Sequence, residues 1–316
     1  MTLYLVTGGA GFIGSHLATA LVRRGDSVRV LDNLSTGKLE NLAEIASKVE
    51  FQQGDVTDAS AVRQACRGVS AIFHEAAQVS VPQSVENPFK SYEVNVVGTL
   101  RMLEAAREAG VTRFVFAASS AAYGNSTDLP KVETMLPTPL SPYASGKVAA
   151  EHLLQVWANC HGIRTVALRY FNIFGPRQAD DSPYTGVIAL FAKALLEGRQ
   201  ATIFGDGEQT RDFTYIDNVI AANLLAVDRE LTPGTVMNVG TGQSISINTL
   251  YRAMCERLGM TCLPRHAEPR AADVLHSVAS IDRARRVLGY EPRVDWRTGL
   301  ATTVDWYKAR FAGARS

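Results

Sequence analysis

The sequence predicts an α/β fold: a Rossmann-type, doubly wound parallel sheet with a smaller mixed α/β substrate-binding domain. Three observations lead there. Short, continuous apolar runs alternate with longer helical patterns over about residues 1–172. A glycine-rich turn follows the first of those runs. After Pro176 the rhythm breaks and the chain becomes mixed. Continuous apolar strands separated by helices belong to a parallel sheet covered on both faces.

The elements follow in order. "LYLVTG" is a strand, and "FIGSHLATALVRRG" is the helix after it. "SVRVLDN", "EFQQGD", "AIFHEAA", "RFVFAASS" and "TVALRYFN" are further strands, mostly with helical stretches between. Gly25 and Gly110 stand between a helix and the next strand, as helix C-terminal punctuation. "GPRQADDSPYTG" is a loop by composition, "VIALFAKALLEG" is helical, and "ATIFGDG" is a strand and turn. "TVMNVGTG" has the character of one more core strand. This divides the chain into a dinucleotide-binding part at 1–172, with a returning segment at about 211–240, and a cap at 173–316. No internal repeat or low-complexity tract interrupts it.

A chain of 316 residues with 46% hydrophobic residues has ample material for a core. A net charge of +1 gives no electrostatic case for nucleic acid. No apolar run approaches the roughly 18–20 residues of a membrane span. The start, "MTLYLVTGG", runs into a strand and lacks the basic and small-residue marks of a leader. Cys66, Cys160, Cys255 and Cys262 form no CxxC pair, and the six histidines no HExxH. A cytoplasmic protein without a metal is the expectation.

The turn "VTGGAGFIGSH" contains Gly8, Gly9, Gly11 and Gly14. Gly9, Gly11 and Gly14 fit G-x-G-x-x-G, here between a strand and a helix. Such glycines let backbone approach a pyrophosphate, and the helix N-terminus offers amide donors and a favourable dipole. An acidic residue about 20 positions on binds the ribose hydroxyls. Asp32 stands 18 residues after Gly14. Its carboxylate repels a 2′-phosphate, so NAD is expected over NADP. Asn33 stands where an arginine would have suggested NADP, and Lys38 is the one nearby cation. Asp55 ends the third strand; it either meets the adenine or caps a helix.

"SPYASGK" places Tyr143 four residues before Lys147. That spacing puts both on one helix face. An ammonium, with a positively charged nicotinamide, lowers the pKa of a phenol from its usual value near 10. Ser119 and Ser120 close the strand "RFVFAASS" at the edge where open α/β sheets bind ligands, and either can hold a substrate hydroxyl. For Asn95, before "VVGTL", local sequence alone leaves a helix cap and a site role equally open.

The segments "TGGAGFIG", "LDNLSTG", "GDVTD", "HEAAQVSVPQS", "NVVGTL", "SSAAYG", "SPYASGK" and "LRYFNIFGPRQ" run in order along the chain. Together they resemble the extended short-chain dehydrogenase/reductase family, and within it the nucleotide-sugar epimerases of the UDP-glucose 4-epimerase type. The resemblance implies NAD as cofactor. It implies Tyr143 as acid/base, Lys147 as its modulator and ribose ligand, Ser119 (with Ser120 next in line) on the sugar hydroxyl, and Asn95 positioning the active-site helix. It places Gly8, Gly11, Phe12, Ile13, Gly14, Asp32, Asn33, Asp55, Val56, Ala76, Ala77, Gln78 and Tyr170 at the cofactor. It places Ser80, Asn172, Val187, Arg211, Arg270, Asp273 and Ser277 at a UDP-sugar, with the two arginines on the diphosphate. It also implies a homodimer through the helices containing "GTLRMLEAAREAG" and "VAAEHLLQVWANC".

Family dehydratases carry an Asp-Glu pair after the strand serine or threonine, and decarboxylases a glutamate. Here Ala121 and Ala122 follow. Without a second carboxylate, proton removal from C5 is not served, and hydride out and back at C4 remains. Two positions set this chain apart from its relatives. Ala272 replaces the usual glycine before Asp273. Ser277 is small where a bulky tyrosine goes with plain hexoses, which leaves room for an N-acetyl group.

Overall fold

The structure is a computed structural model that describes residues 2–180, 186–261, 263–269 and 274–313. Its strands are β1 (Leu3–Thr7), β2 (Ser27–Asp32), β3 (Val49–Gln53), β4 (Ala71–His74), β5 (Arg113–Ser119), β6 (Arg164–Tyr170), β7 (Ile173–Phe174), β8 (Thr202–Phe204), β9 (Thr210–Arg211), β10 (Thr214–Tyr215), β11 (Thr235–Val239), β12 (Ile245–Ser246) and β13 (Arg265–Ala267). The α-helices are α1 (Phe12–Arg24), α2 (Ala59–Cys66), α3 (Val81–Glu86), α4 (Pro88–Tyr92), α5 (Thr99–Glu108), α6 (Pro142–His161), α7 (Val187–Leu196), α8 (Ile216–Asp228), α9 (Ile247–Leu258), α10 (Asp282–Leu288) and α11 (Trp296–Gly313).

Seven strands form the parallel sheet expected from the sequence, in the order β11-β6-β5-β4-β1-β2-β3. The chain reverses direction across the sheet between β1 and β4, which opens a crevice at the strands' C-terminal ends. "TVMNVGTG" does return to the sheet, as β11 beside β6. The apolar runs are continuous because both faces are covered. Tyr4, Val6, Val115 and Ala117 join one core. Leu5, Ile72, Phe114 and Phe116 join the other.

Helix α1 ends on Gly25 in the left-handed region (φ 92°), with Arg23 and Arg24 in its last turn. Gly110 (φ 72°) likewise punctuates the approach to β5. Helix α6 starts on Ser141, whose hydroxyl accepts the Ala144 N–H (3.2 Å), with Pro142 in the first turn. Its middle is locked to the sheet by a buried two-pronged pair. Arg169 of β6 donates to both Glu151 carboxylate oxygens, at 2.9 and 2.7 Å. Removing one partner of such a pair costs on the order of 3–5 kcal/mol.

Beyond β6, the expected α7 and β8 are present, and β8 pairs with β13. Among the described residues no helix is long and apolar enough to cross a membrane.

Candidate active site

The glycine turn is a space too tight for side chains. A Cβ on Gly14 would stand 2.3 Å from the Gly8 carbonyl oxygen, and one on Gly8 would stand 2.8 Å from the Ala76 nitrogen. Gly8 also has φ 65°. Gly11 caps α1 without a side-chain bond, and the first turn holds no acidic residue. The first amides of α1, at Phe12 and Ile13, are therefore suited to an anion, as a dinucleotide pyrophosphate requires.

Asp32 ends β2 beneath this turn. Its Oδ2 accepts the Ala10 N–H (2.9 Å) and its Oδ1 the Leu34 N–H (2.8 Å). The carboxylate is thus fixed, and each oxygen keeps a lone pair for a ribose hydroxyl. Gly37 closes over it. A Cβ there would lie 2.8 Å from Asp32 Oδ1. Asp55 is not a helix cap; that part is played by Asp58, which accepts from Ser60 and Ala61. Asp55 accepts instead from Thr57 and from Asn33 (2.7 Å). Burial raises its carboxyl, but these bonds outweigh burial and hold it below the usual range. Val56 is buried, and its side chain fills the space over Gly98.

The segment after β4 is held by Asn95. This residue lies inside a π-helical turn, Glu93–Gly98, rather than at a helix cap. Such turns gather at functional sites. Asn95 Oδ1 accepts the Gln78 N–H (2.9 Å), and its Nδ2 donates to the Gln78 carbonyl (3.0 Å). Its Cβ faces Gly146 of α6, where an added Cβ would come within 3.3 Å. One side chain therefore links the Ala76-Ala77-Gln78 strip to the active-site helix.

A buried chain of hydrogen bonds runs behind it. The Ala76 N–H donates to Thr7 Oγ1 (3.2 Å), and Thr99 Oγ1–H donates to the Asn95 carbonyl (2.8 Å). His74 lies between them, 2.7 Å from Thr7 Oγ1 through Nδ1 and 3.1 Å from Thr99 Oγ1 through Nε2. Thr99 has spent its only proton, so His74 donates from Nε2 and accepts at Nδ1. Burial, with the Lys147 charge adding to it, pushes this imidazole down to about 3, so it is neutral.

Tyr143 sits in the first turn of α6. Its N–H donates to Ser84 Oγ (3.2 Å), pinning that turn to α3. The Ser119 side chain acts on its phenol, drawing its pKa down. Ser119 also accepts the Ala121 N–H (3.2 Å) and so caps the short 3₁₀ turn Ser120–Tyr123. Of the two candidate serines, the fold brings Ser119 to the phenol. Lys147 is buried one turn below. Its Nζ donates to the Ala117 carbonyl (2.7 Å) and lies 4.7 Å from the Phe116 ring centroid. The protein alone does not lower the phenol as expected. Burial raises it, with only Ser119 opposing. The Lys147 ammonium is 6.0 Å from the ring centroid and is engaged by Ala117.

Glu75 and Asn223, both bonded to Tyr170 at this edge, were not anticipated. Tyr170, expected at the cofactor, donates its hydroxyl to Glu75 Oε1 (3.0 Å) and accepts from Asn223 Nδ2 (2.8 Å). Glu75 Oε2 is buried without a partner. The clue in the sequence was an acid directly following the apolar run "AIF" and His74.

On the cap side, β9 carries Arg211. Its Nη1 donates to the carbonyls of Thr210 (2.9 Å) and Leu275 (3.4 Å). The Ser277 N–H donates to the Thr210 carbonyl (3.2 Å), so the fold brings Arg211 and half-buried Ser277 together. Asp212 ties this corner down by accepting from Thr241, Gly242 and Ala279. Asn172 is exposed just past β6, and Val187 opens α7. Ser80 caps α3, its hydroxyl accepting the Gln83 N–H (3.2 Å). Arg270, Ala272 and Asp273, like Cys262, lie outside the described residues.

This fold and site define a dinucleotide-dependent enzyme working on a hydroxyl beside a half-buried tyrosine and a buried lysine. The chain belongs to the NAD dependent epimerase/dehydratase family, which it matches over residues 4–240. It is 42% identical to the UDP-glucose 4-epimerase of Mycolicibacterium smegmatis over 308 residues, covering 96% of this chain and 98% of that one. It resembles the crystal structure of UDP-glucose 4-epimerase with UDP-glucose from Thermotoga maritima (TM-score 0.93, 37% identity, 98% and 100% coverage). It also resembles a UDP-N-acetylglucosamine 4-epimerase from Methanobrevibacter ruminantium in complex with UDP-N-acetylmuramic acid (TM-score 0.94, 35% identity, 98% and 99% coverage). The enzyme is an NAD-dependent nucleotide-sugar epimerase.

Proposed function

We propose that the enzyme interconverts UDP-glucose with UDP-galactose, and UDP-N-acetylglucosamine with UDP-N-acetylgalactosamine, through a transient 4-keto sugar. The observation that carries this reading is the approach of the Ser119 side chain to the Tyr143 phenol above buried Lys147, with Ala121 and Ala122 rather than acids after the strand serines. Ser119 and Tyr143 converge on one hydroxyl, and Ser120, Ala121 and Ala122 after Ser119 include no carboxylate to move a second proton.

Bound NAD supplies the acceptor and donor of hydride. The chain supplies the rest. The glycine turn and α1 hold the pyrophosphate, Asp32 the ribose, and Asp55, Asn33 and Val56 the adenine end. Tyr143 takes the 4-hydroxyl proton and returns it, Ser119 orients that oxygen, and Lys147 keeps positive charge beneath the phenol. Arg211, with Arg270, Asn172 and Asp273, grips the diphosphate and ribose by charge-assisted bonds. A firmly held nucleotide and a loosely held sugar let the keto sugar turn over.

The small Ser277 beside Arg211 supports acceptance of N-acetylated sugars. Exposed Phe89, Val97 and Val156, on elements that pack together, support a homodimer through this surface. Three described cysteines present as thiols suit a cytoplasmic location.

The test is an NMR assay with UDP-glucose, UDP-N-acetylglucosamine and UDP-glucuronate in parallel, using wild type, Tyr143→Phe and Ser277→Tyr. Galacto epimers from the first two, lost in Tyr143→Phe, support the reading. Ser277→Tyr is expected to lose the acetylated pair selectively. A product that is not a C4 epimer, or epimerisation of the glucuronate alone, overturns it.

A further inference from the structure

Among the described residues, Glu75 and Glu151 are the carboxylates that act on Lys147, and Glu75, unlike Glu151, has no ion-pair partner of its own and no part in the reaction above. It follows β4 directly, next to Ala76, whose nitrogen packs against Gly8 of the cofactor turn. Its Oε1 has a single partner, the Tyr170 hydroxyl at 3.0 Å, and its Oε2 has none although it is buried. A buried carboxylate with half its bonding capacity unmet is costly as an anion. An apolar residue would fill the place without that cost. The groups facing it are few. Tyr170 comes from β6, and neutral Asn223 from α8 bonds Tyr170 and the Val219 carbonyl rather than Glu75. Lys147 from α6 is the one cation that acts on it. His74, its chain neighbour, is neutral and committed to Thr7 and Thr99. Lys147 in turn sits one turn below Tyr143, the residue proposed above to work beside the reacting ring, so a bound cationic ring would add its charge to this cluster.

We propose that Glu75 is a charge-compensating positioning residue. It carries a negative charge while the nicotinamide is oxidised and cationic, and it takes up a proton from solvent when the ring is reduced and neutral. The electron pair and hydrogen move between sugar C4 and the ring, and the hydroxyl proton moves to Tyr143. The Glu75 proton is a separate exchange with water that follows the loss of one positive charge. Burial raises its carboxyl to about 7, with the Tyr170 bond and the Lys147 charge opposing, so one added or removed cation nearby suffices to switch it near neutral pH. Glu75 thereby opposes the trapping of either cofactor state, as a cycle that must oxidise and then reduce the sugar requires. This inference rests on the cofactor and not on which sugar is used.

The test is an exchange equilibrium without substrate. Purified holoenzyme is incubated with mixtures of NAD and NADH between pH 5.5 and 8.5 and desalted, and the bound ratio is quantified by chromatography. In wild type, the preference for NADH is expected to fall as pH rises, approaching tenfold per pH unit within the window. In Glu75→Gln the ratio becomes flat with pH and favours NADH about tenfold more than wild type at pH 8. Glu75→Leu, which keeps the volume apolar, is expected to behave like Gln. A flat wild-type profile overturns the proposal whatever the variants do. So does a pH dependence that survives in Glu75→Gln, which would assign the titration to Lys147.

Discussion

Asn95 and Gln78 bond each other twice, side chain to backbone, at 2.9 and 3.0 Å. The pairing needs an acceptor and a donor on one side chain, which the amide has and a carboxylate lacks. Asn95→Asp turns the 3.0 Å bond into a repulsion between two oxygens. Loss of a buried bond of this kind costs about 1–3 kcal/mol. We expect Asn95→Asp to lower the urea midpoint by a corresponding amount and to weaken NAD binding, measured by calorimetry. Asn95→Ser, too short to bridge, should fall in the same direction.

The Tyr143 phenol is raised by burial in the protein alone, so it should stay protonated beyond pH 10 without cofactor. A cation placed against it lowers that value. Ultraviolet difference titration of wild type against Tyr143→Phe should show the missing ionisation moving down when NAD is added. Epimerase turnover of Tyr143→Phe should drop by about 10²–10⁴-fold with little change in melting temperature.

Burial lowers the Lys147 ammonium to about 8, with Glu75 and Glu151 opposing. The unfolded chain binds this proton below about 10.4, and the folded chain only below about 8. Stability from this group therefore falls as pH is lowered from 10.4 to 8 and is constant below. Lys147→Met should be inactive yet melt higher than wild type at pH 7 in the cofactor-free state. That advantage should fade as pH approaches 10. A melting temperature below wild type at pH 7 would contradict the sign.

Gly37 is forced by Asp32 rather than by backbone conformation, since an added Cβ would come within 2.8 Å of the carboxylate. Gly37→Ala should push Asp32 out of register with its Ala10 and Leu34 donors. The expected result is NAD affinity weaker by about tenfold, or about 1.4 kcal/mol, with only a small shift in melting temperature.

Much of this architecture was legible before any coordinates. The strands announced themselves because a parallel sheet covered on both faces needs unbroken apolar runs, and "RFVFAASS" and "TVALRYFN" provide them. The glycine turn, Asp32 and the Tyr143/Lys147 spacing were legible because each is a local pattern. What escaped depends on distant partners. For Asn95 the local sequence left a cap and a positioning role level, because no short motif marks a π-helical turn. Ser119 and Ser120 are equivalent in a string of letters, and only the meeting of β5 with α6 separates them. Asp55 yielded the capping part to Asp58, three residues on, because the turn at Thr57 holds its carboxylate back. The direction of the Tyr143 shift depends on burial, which spacing does not reveal.

The chain through His74 has one further consequence. It begins at a backbone N–H on Ala76 and ends at a backbone carbonyl on Asn95. Both ends are fixed in polarity, so every proton between them has a single permitted order. Passing a proton along such a wire requires each link to turn round, and here neither terminus can. This chain behind the glycine turn therefore holds its strands together without conducting a proton along its length.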